Sequence, residues 1–125
     1  MPSRSARMDA IRALNQRFDR TTIENRSWEQ VFDAYDTPAT FFFLDPPYLD
    51  DGGKCYEGWS REELARFCAR LKTLKGRWVF TFQDCIDVRH EMKGYPIKTI
   101  TRARGIVNKS VTDAGVYREL IITSR

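Results

Sequence analysis

Phe41-Phe42-Phe43-Leu44-Asp45-Pro46-Pro47-Tyr48 joins an apolar run to a carboxylate, two prolines and an aromatic ring. Each proline lacks an N–H and holds φ near −65°, so a strand arriving from Phe41 must stop at Asp45. Open α/β sheets place their ligands at that end of a strand. Pro47 biases Pro46 towards an extended conformation, which stiffens the tetrapeptide and aims its carbonyls in fixed directions. A carboxylate, a row of carbonyl acceptors and the flat face of Tyr48 suit a planar ring that carries an exocyclic amine. Other chemistries have less support. The three cysteines (Cys55, Cys68, Cys85) are odd in number and show no CxxC spacing, so they read as reduced thiols and not as a disulfide frame or a zinc site. The single histidine, His90, has no partner at metal-ligand or triad spacing.

The elements that must position this motif alternate along the chain. Met8, Ile11, Leu14 and Phe18 recur at helical spacing over residues 4–18, and Thr21 to Ile23 reads as a short strand. Ser27-Trp28-Glu29-Gln30 forms a capping box, followed by Val31, Phe32 and Tyr35 at helical spacing and a break at Thr37-Pro38. Thr40 to Leu44 is expected to be the central strand, and Leu49 to Lys54 a turn-rich loop. A second capping box, Ser60-Arg61-Glu62-Glu63, opens a helix with Leu64, Phe67, Cys68 and Leu71 on one face, closed by Lys75-Gly76. Trp78 to Phe82 reads as a strand covered on both faces. Ile86 to Met92 predicts a short helix ended near Gly94, and Ile97 to Thr101 and Tyr117 to Thr123 predict two last strands. This order predicts an α/β fold: a mostly parallel sheet with helices on both faces, ending in an antiparallel hairpin.

Composition sets bounds on function. The chain has 125 residues, 42% hydrophobic and 30% charged, enough for one globular domain with a modest core. No apolar run approaches a membrane span, and Met1-Pro2-Ser3-Arg4 lacks a signal-peptide core, so no membrane partner is expected and a cytoplasmic location is. A net charge of +4 and a pI near 9.1 are compatible with a polyanionic partner.

Asp45-Pro46-Pro47-Tyr48 after an apolar strand resembles motif IV of the DNA adenine-N6 methyltransferases, in particular the Dam-like D12 class. Tyr117-Arg118-Glu119-Leu120-Ile121-Ile122 looks like the closing strand of that family. The resemblance implies a Rossmann-like methyltransferase fold with S-adenosylmethionine as cofactor and double-stranded DNA as partner. It also implies that a flipped adenine offers its N6 hydrogens to the Asp45 carboxylate and the Pro46 carbonyl, with Pro47 stiffening the turn and Tyr48 stacking on the base. On stacking alone, phenylalanine or tryptophan at position 48 should serve nearly as well. Asp45, Arg26, Ser27 and Trp28 would then lie near the cofactor, although Ser27 also reads as a helix cap and Trp28 as core. Tyr56 and Trp59 would be further walls of the base pocket, or anchors of their loop on the following helix. Arg102, Arg104, Asn108, Lys109 and Ser110 would meet the DNA backbone, or form a solvated loop.

The departures from the family pattern matter as much. No Gly-x-Gly follows a strand, and Gly52-Gly53 lies downstream of the motif, where the order is wrong. Residues 1–125 therefore read as the C-terminal portion of a catalytic domain, with the glycine-rich cofactor motif and the target-recognition insertion absent and the cofactor site incomplete. A sheet so shortened leaves an apolar strand edge open to a separate N-terminal half or to self-association. The alternative function is an inactive remnant or interaction module that keeps the second half of the fold. Methylation of an RNA adenine or a protein glutamine is a third reading, which Tyr48 and the C-terminal pattern disfavour. The recognition sequence stays open, as does a role in restriction-modification, phage protection or regulation.

Overall fold

The structure, a computed structural model, describes residues 3–49, 58–103 and 116–125. These form two compact units, residues 1–31 and 32–125. In the first unit, α1 (Arg4–Arg17) starts where the Ser3 hydroxyl accepts the Ala6 N–H at 3.2 Å. Its predicted apolar stripe exists, but Met8, Ile11, Leu14 and Phe18 remain 45–58% exposed. Thr21 to Ile23 is not a strand: a strand needs a ladder partner, and the segment runs as irregular backbone with Ile23 80% exposed. The capping box forms as its spacing predicts. Ser27 Oγ accepts the Gln30 N–H at 3.4 Å, Gln30 Oε1 accepts the Ser27 N–H at 3.2 Å, and α2 (Trp28–Tyr35) follows, its residues from Phe32 onward belonging to the second unit.

In the second unit β1 (Phe41–Leu44), α3 (Arg61–Leu71), β2 (Arg77–Gln83), α4 (Ile86–Glu91), β3 (Ile97–Ala103) and β4 (Val116–Thr123) build a four-stranded sheet of order β1-β2-β4-β3. β1 and β2 run parallel, with Leu44 opposite Phe80, as a crossover through α3 requires. β4 lies antiparallel to both β2 and β3. One of the three pairings is thus parallel, the expected closing antiparallel hairpin is β3–β4, and these four strands by themselves are not a mostly parallel sheet. The returning strand inserts between β2 and β3, so it makes two of the three pairings. β1 is likewise terminal in this sheet and not central.

Helix cover is also one-sided in this unit. β2 alternates, with Trp78, Phe80 and Phe82 buried and Val79 and Thr81 only half-buried, so its apolar run is not sealed on both faces. Phe42, Leu120 and Ile122 share the buried face. Against it pack the expected α3 residues Leu64, Phe67, Cys68 and Leu71, all buried. Phe67 stands edge-on to Phe80 at 5.3 Å, Phe32 meets Phe42 at 5.2 Å, and Trp78 Nε1 donates to the Leu71 carbonyl at 3.0 Å. Each such aromatic stabilises the fold by roughly 1.5–3 kcal/mol through burial. The other face carries Phe43, 70% exposed.

Gly76 serves differently from its predicted role as a helix stop. α3 ends at Leu71 with Lys72 as its cap, and the described residue with left-handed backbone is Gly94, φ 89°. Gly76 is needed for close approach, since a Cβ there would lie 2.8 Å from the Thr40 carbonyl oxygen and 3.1 Å from that of Thr37. The Asp36 carboxylate accepts the Lys75 and Gly76 N–H groups, both at 2.9 Å, and the Arg77 N–H reaches the Thr40 carbonyl at 3.0 Å. These contacts set the starts of β1 and β2 side by side, and so decide what stands beside Asp45.

Candidate active site

β1 ends at Leu44, and Asp45 follows it at the C-terminal edge of the sheet. Because Leu44 faces Phe80 in parallel register, the next step brings Asp45 beside Thr81. The Thr81 hydroxyl donates to Asp45 Oδ1 at 2.7 Å, a short bond suited to a charged acceptor. The same oxygen stands 3.4 Å from the Leu44 carbonyl. Asp45 is exposed, Pro46 half-buried and Pro47 exposed.

Tyr48 is held at several points. Its ring stands edge-on to Phe82 at 5.5 Å, and its hydroxyl donates to Glu119 Oε1 on β4 at 2.9 Å. Its carbonyl accepts the Trp59 N–H at 2.9 Å, where Leu49 and Trp59 form a parallel bridge. The chain thus returns to the motif at Trp59, whose indole lies 4.9 Å from Phe67. This contact sets Trp59 against α3, which is compatible with its reading as an anchor and leaves the pocket-wall reading open.

Other expected site residues belong to the first unit, to β3 or to the residues outside those described. Tyr56, Arg104, Asn108, Lys109 and Ser110 fall in the last class. Arg102 lies on β3 opposite Tyr117. In the first unit Arg26 pairs with Glu24 at 3.2 Å, and Ser27 commits both its hydroxyl and its N–H to the cap of α2, which Trp28 opens.

Thr81 and Glu119 were not among the expected site residues, although each left a trace. Thr81 is the one hydroxyl inside Trp78-Val79-Phe80-Thr81-Phe82, and Glu119 is an acid leading into Leu120-Ile121-Ile122. Thr81 pairs with Ile121 and Gln83 with Glu119, so the two-residue step puts both side chains on the same sheet face. One reaches the first residue of the tetrapeptide and the other the last.

Beside this edge, Asp84 follows β2 and is gripped by Arg89, Nε to Oδ1 at 2.5 Å and Nη2 to Oδ2 at 3.0 Å. The Arg89 hydrogen bond holds the Asp84 carboxyl below its ordinary range, and Asp84 in turn raises Arg89. Asp84, Cys85, Ile86, Arg89 and Arg118 line an open cleft of about 620 Å³. His90 lines a separate cleft of about 420 Å³ between α3 and α4, with Arg61, Asp87 and Glu91 among its neighbours. Burial pushes the Cys68 thiol up to about 12, which keeps it protonated. Among the described residues no three His, Cys, Asp or Glu side chains are grouped to hold a metal, and no helix is long and apolar enough to cross a membrane.

Two comparisons bear on this arrangement. Type II methyltransferase M.CviBI of Paramecium bursaria Chlorella virus NC1A is 32% identical over 78 residues, 60% of this chain but 29% of that protein. The chain therefore spans well under a third of this relative's length. The model of the D12 class N6 adenine-specific DNA methyltransferases matches residues 2–106, a stretch that holds β1, the Asp-Pro-Pro-Tyr turn and β2 with its Thr81. The chain belongs to the D12 class N6 adenine-specific DNA methyltransferase family.

Proposed function

We propose that this chain is the C-terminal, target-base portion of a DNA adenine-N6 methyltransferase, acting on an adenine rotated out of double-stranded DNA. The observation that carries this reading is the Asp-Pro-Pro-Tyr turn at the C-terminal end of β1, with Asp45 tied to β2 and Tyr48 to β4. The Asp45 carboxylate keeps acceptor capacity beyond the Thr81 bond, because an ionised carboxylate has about four lone-pair sites. It and the Pro46 carbonyl accept the two N6 hydrogens, which draws electron density onto the nitrogen and leaves its lone pair available for attack. Tyr48 supplies the stacking face. Positioning and electrostatics of this kind contribute most of the acceleration in a direct transfer.

S-adenosylmethionine, when bound, supplies an activated methyl group on a positively charged sulfonium. The exposed carboxylate of Asp45 fits the methyl end of that group by charge. Ser27 spends its N–H and one acceptor site of its hydroxyl on the helix cap. The chain thus suits one end of the cofactor, and the glycine-rich cradle is supplied by an N-terminal half. The test is to join the chain to the first half of a D12 class methyltransferase and measure methyl incorporation into DNA. Asp45→Ala should abolish incorporation, while His90→Ala, in its separate cleft, should leave it unchanged. Wild-type rates in Asp45→Ala would reduce the motif to a turn. No incorporation in any completed form would favour a remnant.

A further inference from the structure

Nothing in the stacking role of Tyr48 calls for a hydroxyl, yet the structure uses it. The phenol donates to Glu119 Oε1 at 2.9 Å across 71 residues of sequence, while the ring packs against Phe82 in a T-shaped contact. Phe82 sits on the buried face of β2 and Glu119 on the opposite face of β4, so the two contacts hold the ring from different sides of the sheet edge. A T-shaped contact limits rotation about the ring axis, and a hydrogen bond at the phenol oxygen, which lies on that axis, fixes where the axis points. We propose that Glu119 is a positioning residue that fixes the direction of the Tyr48 ring axis, while the Phe82 contact limits rotation about that axis, so that the stacking face is set before the base arrives. Its role in the reaction rests on the methyltransferase reading above. Thr81 does the corresponding work for Asp45, so β2 and β4 hold the two ends of the tetrapeptide.

The contact can be tested on the chain as it stands. With tyrosine rings labelled with ¹³C and Tyr48 assigned through Tyr48→Phe, Glu119→Ala should shift the Tyr48 ring signals towards those of an exposed tyrosine. Glu119→Gln should leave them near the wild type, because its amide oxygen can accept the same bond. If Glu119→Ala does not fold, Glu119→Met keeps the length without a comparable acceptor. Unmoved Tyr48 signals in a folded Ala or Met variant overturn the proposal.

In the enzyme completed with a first half, Tyr48→Phe and Glu119→Met should each lower kcat about tenfold at an unchanged KM for S-adenosylmethionine. The double variant should lose no more than either alone, and Glu119→Gln should recover most of the rate. Additive losses, or a loss confined to KM, would overturn the positioning role. Absence of transfer by the wild type would refute the methyltransferase reading and leave the ring signals to decide the Glu119 contact.

Discussion

Replacing Gly76 with alanine tests how the fold delivers Asp45 to its partner. The added Cβ would lie 2.8 Å from the Thr40 carbonyl oxygen, 3.1 Å from the Thr37 carbonyl oxygen and 3.1 Å from the Thr40 Cβ. Two of these atoms are backbone, so no side-chain rotation relieves the clash. Thr40 immediately precedes β1 and Gly76 immediately precedes β2, so the relief available is for the two strand starts to move apart. That movement pulls on the Arg77 to Thr40 bond and on the Gly76 N–H to Asp36 bond. Overpacking of this kind costs roughly 1–3 kcal/mol, and rigid neighbours on two sides place Gly76→Ala near the upper end. For a chain of this length the thermal midpoint should fall by roughly 5–12 °C. Circular dichroism melts of wild type and Gly76→Ala measure it. The Asp45–Thr81 bond should weaken too, because it depends on the register that begins at Gly76. A Gly76→Ala protein as stable as wild type would refute the reasoning, since the strand starts would then be free to separate and something else would set the register.

Thr81→Val keeps the shape of the side chain and removes the hydroxyl that holds Asp45 at 2.7 Å. Water replaces the bond at an exposed carboxylate, so stability should change by under about 1 kcal/mol, while methyl transfer by the completed enzyme falls roughly three- to tenfold as Asp45 samples other rotamers. An equal rate would show that Asp45 needs no second holder. Acid should destabilise the fold through three carboxyls, Asp36, Glu62 and Asp84. Asp36 is held low chiefly by the Gly76 N–H, and Asp84 chiefly by the Arg89 hydrogen bond, each against an ordinary value of 3.8. A depressed folded-state value means that the contribution is fully present above the unfolded value and lost as pH falls through the folded one. The thermal midpoint should therefore hold above about pH 5 and fall below about pH 4, with a shallower fall in Asp36→Asn. A midpoint independent of pH across that range would contradict it.

Local chemistry made much of this protein legible in its sequence. The Ser27 capping box and the Ser60 cap stand where the sequence predicts them, because a cap is made of hydrogen bonds within four residues. Leu64, Phe67, Cys68 and Leu71 are buried together because helical spacing places them on one face. The prolines at 46 and 47 end β1 at Leu44, because proline cannot extend a ladder wherever it occurs. The remainder depended on strand partners. Thr21 to Ile23 had the composition of a strand but pairs with no strand among the described residues, and it is irregular. The balance of parallel and antiparallel pairs followed from β4 entering between β2 and β3, a choice that no local pattern encodes. Gly76 was readable as a punctuating glycine, yet its purpose lies in a carbonyl 36 residues away at Thr40. The two bonds that hold the tetrapeptide are of the same kind. Asp45 and Tyr48 announced themselves by type and order, whereas Thr81 and Glu119 became part of the site through parallel and antiparallel register. Register sets which distant side chains share a face and an edge, and it exists only once the sheet has formed.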